Sequence, residues 1–265
     1  MKDRPMLDAY EDDLEVAGIG LAAQVPEGSE IPVGTIREGY VKRYTAIKFA
    51  IRTIVSEEAI ADSKYDKVIN SAKRNKRALW KTADIHATAN LVNIETAGFG
   101  CGDGVAVSST AHPLAHGGTF SNRLATPLAP STAAWNNVVA QLDQMVDHDG
   151  VIEGYKPTKV VCPSQQWGVW KELLESDYDP RAGNFSAVNI MKGDKPEVVV
   201  NRYWTNTTTQ WVVLTDAEGG YQFRWRAKPK SKSWINEEHE LMSYSISARW
   251  DNGVSNPRSV FHVDA

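Results

Sequence analysis

Hydrophobic and polar side chains alternate with a period of two near the N-terminus, which is typical of a β-strand. Ile47, Phe49 and Ile51 are apolar, whereas Lys48 and Arg52 are charged. Prolines and glycines punctuate the chain just before this run, so the pattern predicts a long and mostly polar hairpin over residues 31–55. A two-stranded hairpin of this polarity is not stable alone. We therefore expect it to lie against another part of an assembly, for which a neighbouring subunit is the natural candidate.

A long helix is predicted to begin at Ser56. This residue can cap the helix, and Glu57 and Glu58 occupy the first turn, where the helix dipole favours acids. Apolar or aromatic positions then recur at three- and four-residue steps or their multiples: Tyr65, Val68, Ala72, Leu79, Ala83 and His86. Neither proline nor glycine occurs over residues 56–97. A helix of roughly 35 residues would be about 50 Å long, which is enough to span a subunit.

The rest of the chain mixes helical and strand patterns, which places it in the α+β class. One helix is capped by Ser131 and ended by Gly150, and a second carries Trp167 and Trp170 after a strand at 159–162. Further strands are predicted at 197–200, 210–215, 221–226, 242–250 and 259–263. The glycine-containing connection at 217–220 predicts that the strands on either side of it form a hairpin.

Composition narrows the function classes. The chain has 265 residues, of which 42% are hydrophobic and 23% charged, so it forms one large domain or two intimate subdomains. A net charge of −4 argues against a strongly basic coat for nucleic acid. No apolar run reaches transmembrane length, and the acidic N-terminus lacks the features of a signal peptide. We expect a protein that is made in a cytosol and has no membrane partner.

Three segments of the chain are candidate ligand sites: one rich in glycine, one with two histidines and one with three aspartates. The glycine-rich segment 98–104 has Asp103 where the dinucleotide fingerprint requires glycine, and no Lys-Ser/Thr of a P-loop follows it. His112 and His116 have a spacing that binds zinc on a helix, but the intervening proline and following glycines disfavour a helix there. Asp143, Asp147 and Asp149 lack the ligand series of a calcium loop. We expect neither a cofactor nor a metal.

One cysteine remains as a candidate nucleophile. The chain contains no Gly-x-Ser-x-Gly elbow, and its two cysteines are too few for a disulfide framework. Cys101, paired with the distant His86 or His112, keeps a cytosolic cysteine hydrolase open as an alternative. The simpler interpretation of Cys101 and Cys162 is that both are small buried hydrophobes.

One dense basic cluster lies midway along the predicted long helix. It consists of Lys73, Arg74, Lys76 and Arg77. Such a run is usually a solvated helical face. Its functional interpretation is a surface that faces phosphates without reading bases, and the sequence leaves both interpretations open.

Taken in order, these elements resemble the major capsid proteins of tailed bacteriophages, which have the Hong Kong 97-type fold. The entry into the long helix at 55–65 is similar to that family, and the segment from His112 through Ser121-Asn-Arg-Leu124 resembles a linker in one branch of it. The run 157–163 and the strand 242–250 are similar to later parts of the same fold. The resemblance implies an N-terminal arm (1–30), an extended loop (31–55), a peripheral domain with a spine helix (56–129), an axial domain (130–240) and peripheral return strands (241–265).

This resemblance implies a structural protein that is not an enzyme. Such proteins self-assemble as hexamers and pentamers into an icosahedral shell around double-stranded DNA, in the host cytoplasm, with scaffold, portal and decoration proteins as further partners. In such a shell, the basic cluster of Lys73, Arg74, Lys76 and Arg77 is the candidate DNA-facing surface. The resemblance also implies that the loop residues Arg37, Tyr40, Lys42, Arg43 and Tyr44 contact a neighbouring subunit. An encapsulin-like compartment, which packages protein cargo, is the alternative within the same fold.

Overall fold

A computed structural model describes residues 2–17, 20–34, 38–62, 65–115, 117–126, 128–178, 189, 191, 196–204 and 210–264, without the side chains of residues 2 and 65–69. The chain divides into two compact units. The first unit comprises Met1–Glu11, Arg43–Ala89 and Gln222–Gly253. The second unit comprises Asp12–Lys42, Asn90–Tyr221 and Val254–Ala265.

Helices and strands follow one another in a mixed order along the described chain. The strands are β1 (Lys2–Pro5), β2 (Tyr10–Val16), β3 (Glu38–Thr45), β4 (Ile47–Ser56), β5 (His112–Pro113), β6 (Thr119–Phe120), β7 (Pro157–Pro163), β8 (Glu197–Asn201), β9 (Trp211–Thr215), β10 (Tyr221–Asn236), β11 (Leu241–Val254) and β12 (Val260–Val263). The α-helices are α1 (Glu57–Ala61), α2 (Tyr65–Val92), α3 (Thr132–Asp143) and α4 (Trp167–Glu175).

The core of the first unit forms where α2 packs on one face of a sheet with the strand order β1-β10-β11-β4. Strand β11 pairs antiparallel with β4, from Leu241 opposite Ser56 to Trp250 opposite Ile47. The buried members of this core are Leu79, Ala83, Phe223, Ile246, Ala248 and Trp250. Trp250 is fully buried and stacks on Phe49 with a centroid distance of 4.1 Å. The predicted alternation over 242–250 is confirmed where it faces α2.

Hydrogen bonds fix the rotation of α2 about its own axis. The Thr53 hydroxyl donates to Asn75 Oδ1 (2.7 Å), and Asn75 Nδ2 donates to the carbonyl of Tyr244 (3.3 Å). Three turns later, the Trp250 indole N–H donates to His86 Nδ1 (3.2 Å). Burial lowers the pKa of His86, which keeps this nitrogen unprotonated and able to accept. Because Asn75 is buried against the sheet, the residues just before and just after it in α2 point toward solvent.

The helical region begins where predicted but is not continuous. Ser56 caps α1 by accepting from the Ala59 N–H, which confirms the predicted start. The first helix ends at Ala61, because Asp62 leaves helical geometry with ψ of 27°. Aspartate has low helix propensity, since its side chain competes for backbone hydrogen bonds. The predicted single helix of roughly 35 residues is therefore wrong: α2 has 28 residues and measures about 42 Å.

The polar hairpin predicted over 31–55 is also wrong. Its two strands, β3 and β4, exist, but β3 pairs with β2 and β4 pairs with β11. Only Ala46 separates them, whereas a hairpin reversal needs a loop of at least about two residues. The N-terminal arm, for which no period was expected, supplies β2 and also β1, which pairs parallel with β10 from Lys2 to Pro5.

The second unit is built on a sheet with the order β12-β9-β7-β8. Helices α3 and α4 pack on it through an aromatic cluster, in which the Trp170 ring lies 5.9 Å from Trp135 and 4.6 Å from Trp211. The hairpin predicted across 217–220 is wrong, because β9 pairs with β7 and β12, whereas β10 pairs with β1 and β11. Gly219 has φ of 69° and accepts from the Asn256 N–H, so this connection redirects the chain.

Polar side chains are also buried in the interior of the second unit. Asn122 donates through Nδ2 to the carbonyls of Val107, Pro257 and Val260. His262, on β12, is fully buried, and its Nδ1 lies 2.9 Å from the Ser108 hydroxyl. Burial, followed by the nearby cation of Arg123, lowers the pKa of His262 from 6.5 to about 4, although Asp264 opposes the shift. The folded chain therefore holds this ring neutral.

Acidification should destabilise the protein through His262. The unfolded chain takes up a proton below a pH of 6.5, whereas the folded chain resists until about pH 4. Stability is therefore lost as the pH falls through this window, by about 3 kcal/mol. Urea unfolding of the unassembled subunit across this range measures the loss. A His262→Gln variant should show a shallower dependence of unfolding free energy on pH, and equal slopes for the two proteins would contradict the assignment.

Candidate functional site

The basic cluster lies on the exposed side of α2. Lys73, Arg74, Lys76 and Arg77 are all exposed, and the buried residue between them is Asn75. Each helical residue is rotated by about 100° from the previous one. Because Asn75 points toward the sheet, the residues one and two positions away on either side point sideways or outward. Asn75, which fixes the helix on the sheet, therefore also keeps the basic cluster on the exposed side of α2.

This basic face extends one turn beyond the predicted residues. Trp80 is 44% exposed and Lys81 is exposed, at steps of three and four residues from Arg77. Among the described residues, no carboxylate forms an ion pair with any of the five cations on this face. The helical spacing would have identified Lys81 and Trp80 from the sequence. The surface is a positive stripe of five cations with one exposed indole.

The described loop candidates in the second unit are half-buried and contact other residues of that unit. Arg37 lies outside the described residues. Tyr40 is half-buried, with its ring centroid 6.0 Å from that of His148. Lys42 Nζ donates to the carbonyl of Gly100 at 2.5 Å. A Cβ on Gly102 would lie 3.2 Å from the backbone nitrogen of Lys42, so the glycine-rich segment provides close packing for β3.

The remaining loop candidates lie in the first unit. Tyr44 is fully buried, and the Arg224 guanidinium lies over its ring at 4.3 Å. Arg224 Nη1 in turn donates to Glu11 at 2.9 Å. The expectation that Tyr44 contacts a neighbouring subunit is therefore corrected, because its surface is covered within its own chain. Arg43 remains exposed, with its guanidinium 4.9 Å from the ring of Tyr10.

The cysteines occupy sites that suppress thiol chemistry. Cys101 and Cys162 are both buried and free. Burial raises the pKa of the Cys101 thiol far above its ordinary value, and the Asp103 carboxylate adds to this shift. Burial also raises the pKa of Cys162 to about 11. The Asp103 carboxylate instead holds the glycine-rich loop, accepting from the Val105 N–H and meeting His112 Nδ1 at 2.6 Å.

The histidine and aspartate candidates have structural partners. His112 is fully buried and stacks on Phe120, with a centroid distance of 5.2 Å, whereas His116 lies outside the described residues. Asp147 Oδ1 accepts from the backbone N–H groups of Asp149 and Val151, which closes a turn. Where the chain is described, no three histidine, cysteine or acidic side chains converge in a way that would hold a metal ion. The expectation of a metal-free protein remains a prediction.

A buried arginine that the sequence does not mark with any motif holds β2 in the second unit. Arg258 donates through Nε to the Val146 carbonyl (2.7 Å) and through Nη1 to Glu15 (3.2 Å). Glu15 also lies 3.0 Å from His148 Nε2, and the Arg258 guanidinium covers the Phe120 ring at 4.4 Å. A buried arginine requires such partners, because an unpaired charge in the interior is strongly destabilising. Acidic residues at every second position of β2, which include Glu15, are the feature of the sequence that could have predicted this ion pair.

Comparisons with known proteins show both the family and the fold. A family model described as "Phage capsid protein" matches residues 39–263. A search of curated proteins gives no match. No described helix is long and apolar enough to cross a lipid bilayer.

Solved structures with this fold come from several particles. A chain from Gordonia phage Cozz is 12% identical, with a TM-score of 0.58 over 99% of this chain and 84% of that chain. A chain from Mycobacterium phage Adephagia is 14% identical, with a TM-score of 0.56 over 99% and 87%. A chain from the capsid of a native GTA particle is 14% identical, with a TM-score of 0.56 over 99% and 86%.

The fold agrees with the mixed helix and strand class that the sequence predicted, and neither the encapsulin-like compartment nor the cysteine hydrolase is favoured by these matches. At 12–14% identity the solved structures establish the fold alone. The family model supplies the assignment, since it spans most of the chain. The chain belongs to the phage capsid protein family and is a major capsid protein, which assembles with copies of itself into the shell of the virion.

Proposed function

We propose that this capsid protein forms the hexamers and pentamers of an icosahedral, Hong Kong 97-type shell around double-stranded DNA, and that the basic face of α2 lies against the packaged genome. The observation that carries the DNA-facing role is the exposed stripe of cations on α2, which no described carboxylate neutralises. The division into arm (1–30), extended loop (31–55), peripheral domain (56–129), axial domain (130–240) and return strands (241–265) belongs to the same proposal, with the strand partners described above.

The charge balance supports loose, sequence-independent contact with DNA. The chain carries a net charge of −4, so the whole surface does not attract phosphate strongly. Lysine and arginine on α2 supply a local attraction instead, and such contacts release counterions without reading bases. A genome must move while it is packaged, and weak contacts repeated in every subunit hold it without fixing it.

The other partners follow from the assembly pathway of a closed shell. We infer that a scaffold, a portal and decoration proteins assist assembly in the host cytoplasm. The protein acts as a structural component and not as an enzyme. The protonated, buried state of Cys101 supports this, because the thiolate is the form that attacks a substrate.

Neutralising α2 should weaken DNA contact without preventing assembly. The variant Lys73→Gln/Arg74→Gln/Lys76→Gln/Arg77→Gln removes four exposed cations, so it should fold and form shells. Binding of a short labelled duplex to the unassembled subunit should weaken, and the slope of log affinity against log salt should fall by up to about 4 units. Fluorescence anisotropy over a salt series measures both quantities, and shells isolated from phage infection should retain less DNA.

A matched control removes the same charge from another exposed surface of the first unit. The variant Arg226→Gln/Lys228→Gln/Lys230→Gln/Lys232→Gln also removes four exposed cations, but from β10. It should lower the salt slope less than the α2 variant does, because the α2 face keeps its five exposed cations. An unchanged slope in the α2 variant, or a loss confined to the β10 variant, would assign DNA contact to a surface other than α2.

Both thiols should be unreactive in the folded protein. Burial and raised pKa values keep Cys101 and Cys162 protonated near neutral pH, so a colourimetric thiol reagent should react with them only after unfolding in guanidinium. Cys101→Ala should assemble like the wild type. Rapid reaction of one native thiol, together with an activity lost in Cys101→Ala, would refute the non-enzymatic proposal.

A further inference from the structure

Strand β10 carries a second basic surface, separate from the one on α2. Its outer half, from Arg226 onward, places cations at every second position. We call this set, Arg226, Lys228, Lys230 and Lys232, the lysine ladder, and all four side chains are exposed. A period of two puts them on one face of the sheet. At the end of the ladder Trp234, 41% exposed, lies 5.3 Å from the Arg52 guanidinium.

Contacts at both ends of the ladder show which face it occupies. Phe223 and Trp225 pack toward α2, so the even-numbered residues of β10 point away from the helix. On β4, Thr53 bonds to α2 through Asn75, so its neighbour Arg52 also points away from α2. Arg52 contacts Trp234, so the even-numbered residues at the far end of β10 also point away from α2. The ladder and the α2 cluster therefore point to opposite sides of the first unit.

Two basic surfaces that point in opposite directions cannot both face the genome. A shell wall has one inner side, and the proposed function assigns the α2 face to it. The ladder then needs another source of negative charge, so the present inference rests on that assignment. Within the described chain, no carboxylate forms an ion pair with the ladder.

An exposed acidic turn lies at the end of the same hairpin. We use this name for Glu237, Glu238 and Glu240 together with Glu57 and Glu58 of α1, all of which are exposed. The backbone N–H of Glu57 donates to the carbonyl of Glu240 at 2.9 Å, which holds the first turn of α1 beside the hairpin turn. None of these carboxylates has an ion-pair partner in the described part of the chain.

We propose that the lysine ladder of one subunit docks on the acidic turn of a second copy. The charges are complementary in sign and similar in number, and each chain carries both halves of the contact. Even the nearest pair, Lys232 of the ladder and Glu237 of the turn, is five residues apart along the hairpin. This corresponds to about 17 Å of extended strand, too far for a direct ion pair within one chain. A partner turn laid across the ladder satisfies both surfaces.

The edge of β10 favours contact through side chains. Strand β1 pairs with β10 only as far as Trp225, so among the described strands β11 alone pairs with the outer half. Pro229 lacks an N–H donor there, and lysines on an edge strand oppose the addition of another strand. The contact is therefore an electrostatic one across the sheet face. Exposed ion pairs contribute little individually, but a shell repeats them in every copy.

Charge exchange between two chains tests the contact. The ladder variant is Lys228→Glu/Lys230→Glu/Lys232→Glu, and the turn variant is Glu237→Lys/Glu238→Lys/Glu240→Lys. Each variant alone places like charges together, so the assembled fraction should fall by about tenfold or more at low salt. When the two variants are mixed, each acidic ladder meets a basic turn on the other chain. Mixing should restore particles that contain both chains.

Sedimentation velocity and negative-stain microscopy measure the assembled fraction, and circular dichroism of each unassembled variant establishes that it is folded. Where a glutamate variant does not fold, Lys228→Gln/Lys230→Gln/Lys232→Gln replaces it and should assemble less than the wild type at low salt. The α2 glutamine variant is the matched control and should assemble normally. This control also separates the two proposals: α2-variant shells that keep their DNA would contradict the α2 assignment, whereas the mixing result tests the contact between copies.

Three results would overturn the contact. The first is wild-type assembly of either folded glutamate or lysine variant. The second is the failure of the mixed variants to form particles, although each is folded. The third is normal assembly of the ladder variant into shells that lose their DNA, which would place the ladder on the genome side. Restoration by mixing supports contact between copies, because a defect confined to one chain is not repaired by the other.

Discussion

The packing of α2 on the sheet of the first unit is the interaction on which the rest of that unit depends. Asn75 joins α2 to strands β4 and β11 through hydrogen bonds. The fully buried Trp250 packs in the core between the helix and the sheet. A buried amide with its hydrogen bonds made specifies one rotation of the helix, since any other would leave the amide unsatisfied. This rotation keeps the five cations of α2 on the exposed side of the helix, whereas the alternation along β10 places the lysine ladder on the opposite face of the sheet.

Buried charge performs the corresponding task in the second unit. Arg258 is 1% exposed and has a carboxylate, a carbonyl and an aromatic face as partners. Its partner Glu15 lies on β2, near the N-terminus, so a residue close to the end of the chain holds a strand close to its beginning. An apolar contact would tolerate sliding of the strand. A charge pair desolvated in this way is strongly destabilised when one partner is displaced, which specifies the position of β2.

Local signals in the sequence predicted the elements well and their partners poorly. Ser56 was correctly identified as a helix cap, and the alternation over 242–250 as a strand, because capping and periodicity depend on neighbouring residues. The hairpins predicted over 31–55 and across 217–220 are absent from the described sheets, because strand pairing is decided by burial against residues far away in the chain. Tyr44 was misplaced for the same reason: its cover, Arg224, is remote in sequence. The exposed α2 cluster was predictable, since a charged run on a helix needs no distant partner.

Net charge conceals how the charges are arranged. The chain is only slightly acidic, at −4, yet the first unit carries five exposed cations on α2, four on β10 and a group of unpaired acids at the hairpin turn. A weak overall charge limits long-range repulsion between the many copies that a shell brings together. Separated patches of opposite sign then give direction to the contacts, because only some orientations place unlike charges together. A subunit built in this way can approach its copies freely and still distinguish the correct orientation from the wrong ones.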